Sequence, residues 1–211
     1  MAYGGCNMSG SYFVPRIGRK YNTTKVLILS ESAYSWLDED GEVVDPGPSH
    51  PTENLNFWGI EHFGKRVYYT PMGQALCGKK SPSRDELEQA WDEYAYTIFV
   101  QGTVGLGAKS RPTKEQWLEA EPNLISLIEK MTPRPLKIIV TGKTMWNNHM
   151  KCTGPHLCDD IQAYKLSDGT LVWCLALPHP ANREAGVGFQ WEWVGQHIRT
   201  FRSFDFPLRD T

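Results

Sequence analysis

The sequence predicts an α/β fold: a three-layer sandwich with a mainly parallel central sheet flanked by helices. Three observations carry this. Three short runs, "KVLIL", "LKIIVTG" and "TLVWCLAL", are almost wholly apolar, as in strands buried on both faces. Stretches with helical apolar spacing lie between them. Each run ends in a polar loop, "SESAY", "TGKT" or "PHPANR". In an open α/β sheet the carboxyl ends of the strands are where ligands bind.

The elements follow in order. Residues 1–24 show no clear period and contain Pro15 and Gly18, so they read as an arm packed on the domain, carrying Arg16, Arg19 and Lys20. Residues 25–29 are the first strand. Residues 38–82 are rich in Pro and Gly, with "DPGPSHP" at 45–51, and read as an irregular stretch. So long a stretch inside a domain usually shapes a functional site. Ser83 and Glu86 form a capping box that opens a helix. Leu87, Ala90, Trp91, Tyr94, Ala95 and Ile98 continue it at helical spacing. "GTVGLGAKSRP" breaks that helix. It follows a helix rather than a strand, so it is no phosphate-binding fingerprint. Thr113 and Gln116 cap a second helix bearing Trp117, Ala120, Leu124, Leu127 and Ile128, which Pro122 is expected to split or kink. "KTMWNNHM" reads as a short helix. Asp168-Gly169 marks a hairpin turn ahead of the last strand. Residues 189–204 form a final amphipathic helix.

A chain of 211 residues without a linker suits one domain, 1–211. No run of about 18 apolar residues exists, so no membrane span is expected. The start "MAYGGCNMSGSYF" lacks the basic and apolar segments of a secretory signal, which predicts a cytoplasmic protein. Five cysteines, an odd number, then argue for reduced thiols. A formal net charge of −2 weighs against strong non-specific nucleic-acid binding but leaves room for a local basic face.

The first strand with "SESAY" resembles the first motif of the uracil-DNA glycosylase superfamily, and "LPHPANR" resembles its second, a His-Pro-Ser loop. "TPRPLKIIVTGKTMW" resembles the strand and helix between them, and "YTIFVQ" sits where the family places its base-reading segment. The similarity spans about residues 24–200 as an order of elements. It implies a monomeric DNA glycosylase of that fold. Such an enzyme extrudes a nucleotide and hydrolyses its N-glycosidic bond without a cofactor, leaving an abasic site. The chain departs from the family pattern at several positions. Ser32 stands where the family has its water-activating Asp, Ser30 where it has Gly, Ala33 where it has Pro, and Ala181 where it has Ser. Ile98 stands where it has the base-reading Asn, with Gln101 one turn on. The implied substrate is therefore a modified base rather than plain uracil. The alternative is a catalytically silent nucleotide- or DNA-binding module on the same fold.

By this resemblance His179 would hydrogen-bond to the departing base as negative charge develops on it. The bland reading is a strand-end His satisfied by local backbone. Glu31 would be a base or water-orienting group, or else a side chain that ties down a loop. Ser30, Ser32, Tyr34, Ile98, Gln101 and Asn182 are the expected substrate-binding set, with Tyr34 walling the flipped base. Lys143, Arg183, Lys109 and Arg111 are the expected phosphate contacts, and solvated surface charge is their bland reading. His149, Cys152, His156 and Cys158 lie within ten residues and are zinc-compatible. Their spacing is sterically awkward, and no metal is expected.

Overall fold

In chain order the elements are β1 (Arg16–Ile17), α1 (Tyr21–Thr24), β2 (Val26–Ser30), β3 (Ala33–Leu37), β4 (Val43–Val44), α2 (His50–Asn54), a π-helical segment (Leu55–Glu61), α3 (Tyr69–Cys77), α4 (Arg84–Trp91), β5 (Tyr94–Ile98), β6 (Thr103–Leu106), α5 (Lys114–Lys130), β7 (Lys137–Thr141), α6 (Lys143–His149), β8 (His156–Cys158), β9 (Ile161–Lys165), β10 (Leu171–Leu177) and α7 (Trp191–Ser203). The computed structural model describes residues 13–107, 109–184 and 188–209. Residues 1–12 of the expected arm, with Cys6, lie outside the described residues.

Seven strands form one sheet in the order β1-β5-β2-β7-β10-β9-β8. The inner four, β5-β2-β7-β10, are all parallel. β1, β9 and β8 add antiparallel edges, so the sheet as a whole is mixed. The period of two along a strand explains the all-apolar runs. Leu27 and Leu29 of β2 face a cluster built with Leu124, Ile128 and Met145 of α5 and α6. Val26 and Ile28 face the other cluster, with Met72 of α3, Leu87 of α4 and Val194 and Ile198 of α7. Helices thus cover both faces. At one point two helices come very close. A Cβ on Gly195 of α7 would lie 2.4 Å from the Ala75 carbonyl oxygen of α3, so only glycine fits there.

Several expectations hold. Both capping boxes are formed, at Ser83/Glu86 and Thr113/Gln116. β9 and β10 pair as the expected hairpin, with Gly169 at φ 80° in its turn. The helices at α6 and α7 lie where the pattern placed them.

Three expectations are corrected. The helix opened by Ser83 ends at Trp91, and Tyr94–Ile98 is a central strand. The sequence Tyr-Ala-Tyr-Thr-Ile suits a strand buried on both faces, and β5 is buried at all five positions. Asp92 marks the break, its carboxylate held by Arg16 and Arg19. Pro122 neither splits nor ends α5. It lies on the solvent-facing side, where water can satisfy the carbonyl that loses its partner. The stretch 38–82 is not irregular. It contains β4, α2, the π-helical segment and α3. Pro51 sits in the first turn of α2, where its missing N–H costs nothing. Leu55, Ile60, Tyr69 and Met72 then bury against the sheet.

Candidate active site

The chain leaves β2 toward β5 on one side and leaves β7 toward β10 on the other. Neighbouring strands whose connections diverge leave a crevice at their carboxyl ends. Ser30-Glu31 ends β2 there, Thr141-Gly142 ends β7, and Pro178-His179 follows β10. β2 and β10 are two strand spacings apart, about 10 Å, and Glu31 and His179 lie in the loops that follow them at this edge. The loop after "KVLILS" is only Glu31 and Ser32, because residues 33–37 form β3. This strand joins β4 and β6 in a second, three-stranded sheet.

Glu31 is half-buried. Burial pushes its carboxyl above the usual range, and the Arg111 guanidinium opposes that shift. His179 is also half-buried. Burial lowers its imidazole below the ordinary value, and the same Arg111 cation lowers it further. One arginine therefore acts on both groups from the loop after β6. The tautomer of His179 follows from one contact. The backbone N–H of Ala181 donates to its Nδ1 at 3.1 Å. A neutral ring must then carry its proton on Nε2 and present it as a donor. The His179 carbonyl accepts from the Asn182 N–H at 2.7 Å, closing the turn.

Beneath this edge lies a set of hydroxyls. Thr141 is fully buried and its hydroxyl donates to the Leu29 carbonyl at 2.8 Å. Its single proton is thereby used, so the Tyr68 hydroxyl, 3.0 Å away, must donate to Thr141. Ser30 Oγ lies 2.9 Å from the Tyr96 hydroxyl, which lies 3.3 Å from that of Tyr69. The Tyr68 ring packs on His179, centroids 5.7 Å apart and tilted by 53°. Tyr68, Tyr69, Tyr96 and Thr141 were not singled out from the sequence. The adjacent tyrosines of "VYYTP", and the alternation in "YAYTI", were the available signals.

The other expected site residues fall into distinct places. Ser32 donates to the Tyr34 hydroxyl at 3.2 Å, and Tyr34 packs partly against the α5–α6 face. Ile98 is 3% exposed and packs with Phe13 and Ala33. The Gln101 side chain accepts from the Phe13 N–H at 2.8 Å and donates to the Ile98 carbonyl. Asn182 Oδ1 accepts from the Glu184 N–H at 2.9 Å. Lys143 is paired with Asp160. Lys109, Arg111 and Arg183 are exposed. Arg183 lines a cavity of about 440 Å³ with Thr70, Phe189 and Trp191.

The four zinc-compatible side chains are dispersed. His149 stacks on Trp117 at 3.7 Å, Cys152 is buried beside Cys174, and His156 and Cys158 are exposed on edge strand β8. Among the described residues no three His, Cys, Asp or Glu side chains are grouped as metal ligands. Nor, among them, is any helix long and apolar enough to cross a membrane. Comparison with protein-family models and with curated proteins finds no match to this chain.

Proposed function

We propose that the chain is a DNA glycosylase that binds an extruded nucleotide at the carboxyl edge of the sheet and hydrolyses its N-glycosidic bond. The observation that carries this reading is His179: half-buried, held neutral, and limited by the Ala181 N–H to an Nε2–H donor. As the glycosidic bond breaks, its electron pair leaves with the base, and positive charge grows on the sugar. A fixed donor in a partly dry site stabilises the anionic base without reorganising. Water then supplies hydroxide to the sugar carbon and a proton to the base. Glu31, ionised, favours the sugar cation and orients that water. Arg111, at the mouth, suits a DNA phosphate.

The same geometry supports a modified base over plain uracil. A plain pyrimidine edge is best read by a free side-chain amide. Here Ile98 is buried, while Gln101 and the Asn182 oxygen are engaged with the backbone. The test is incubation with DNAs carrying different modified bases, followed by alkali to cleave at abasic sites. Cleavage at one class of modified base, with uracil untouched, is the expected result. No cleavage with any base would refute the activity.

A second reading is a silent module that binds DNA or a nucleotide. It is favoured by Ser32, whose hydroxyl is given to Tyr34 and which supplies no carboxylate. Fluorescence anisotropy on the same DNAs separates the two. Binding of a modified site with no base released selects this reading.

A further inference from the structure

We propose that Tyr68 is the positioning residue of His179, fixing the plane of the imidazole so that its Nε2–H stays aimed at the departing base. The role in base departure rests on the glycosylase reading above; the contacts themselves stand without it.

Tyr68 precedes α3 and reaches the sheet edge from the helical layer. Its ring meets His179 at 5.7 Å and 53°, and the Tyr69 ring backs it edge-on at 5.0 Å and 82°. Its hydroxyl is tied by a one-way chain. Tyr68 donates to Thr141 of β7, and Thr141 donates to the Leu29 carbonyl of β2. Thr141 is 0% exposed, so water has no access to exchange with that bond. Rotating the Tyr68 ring away would break its hydrogen bond to the buried Thr141 hydroxyl, which opposes the movement. The imidazole is therefore held from two sides. The Ala181 N–H fixes which nitrogen carries the proton, and the anchored Tyr68 ring fixes the plane and excludes water. Arg111 is the charged group that also acts on His179, and it comes from a different loop.

The test compares wild type with Tyr68→Phe, which keeps the ring but removes the anchor, and Tyr68→Leu, which removes the aromatic wall. Arg111 stays in place in both. Nitrogen-15 NMR of the His179 ring reads the tautomer and its titration without any substrate. Single-turnover base excision reads the consequence. The wild-type ring should show the Nε2–H tautomer and titrate below its ordinary value. In Tyr68→Leu the titration should move up toward that value, and excision should fall by about tenfold to a hundredfold, as for a misplaced catalytic group. Tyr68→Phe should show a smaller change in the same direction, and it keeps the question answerable if the Leu variant does not fold. The tautomer, fixed by the Ala181 N–H, should stay the same in both variants, and an unchanged titration in the folded variants would overturn the proposal. A shifted titration in a protein that excises no base would uphold the positioning and remove the glycosylase reading instead.

Discussion

Replacing Gln101 by Leu removes an amide that makes these two hydrogen bonds among the described residues. Its oxygen accepts from the Phe13 N–H at 2.8 Å, and its nitrogen donates to the Ile98 carbonyl. Phe13 is 0% exposed, so water cannot readily replace the lost acceptor. Leaving a buried backbone group short of a partner costs about 1–3 kcal/mol. With two such groups affected and the side-chain volume kept, a net loss of about 2 kcal/mol is expected. For a domain of this size that lowers Tm by about 4–8 °C. Thermal unfolding followed by circular dichroism measures it. Excision assayed well below the transition should stay within about twofold of wild type, because this amide ties the segment at Phe13 to the end of β5 and does not touch the base. An unchanged Tm with excision lost more than tenfold would refute that assignment and make Gln101 a base-reading residue.

Other substitutions probe the charged groups and the packing. Arg111→Met removes a cation that lowers both Glu31 and His179, so both should titrate at higher pH than in wild type. If ionised Glu31 is required, the acid limb of the excision–pH profile moves to higher pH; a shift the other way contradicts the placement of Arg111. Glu31→Gln should cut turnover steeply while DNA binding holds or improves, since a carboxylate repels phosphate, and equal loss of both would point to a direct contact with the base. Gly195→Ala should destabilise the fold by about 1–3 kcal/mol in chemical denaturation, despite the better helix propensity of Ala, because the added Cβ meets the Ala75 carbonyl at 2.4 Å.

What the sequence made legible was whatever local chemistry decides. The capping boxes at Ser83 and Thr113, the Asp168-Gly169 turn and the apolar runs of β2, β7 and β10 each depend on neighbouring residues. β5 was hidden because Tyr94, Ala95 and Ile98 continue the helical spacing of α4. Only the tertiary pairing of Asp92 with Arg16 and Arg19, and burial on both faces, separate the two elements. Of the proposed site, Glu31 and His179 stand out in the sequence because they come just after apolar strands. Tyr68 does not, because its role is set by Thr141 and His179, 73 and more residues away. Gln101 and Asn182 looked like base readers. The Gln101 amide and the Asn182 Oδ1 are engaged with backbone groups, which residue type alone does not reveal.

The most direct test of the account is mass spectrometry of free base released from a cleaved substrate DNA by wild type and by His179→Ala. The half-exposed His179 side chain makes no long-range hydrogen bond among those described, so the variant should fold with near-wild-type stability. Losing one fixed donor to a developing anion should lower base release by roughly two to three orders of magnitude, with DNA binding retained. A folded His179→Ala protein that releases base at the wild-type rate would contradict the account and move the chemistry away from this edge of the sheet.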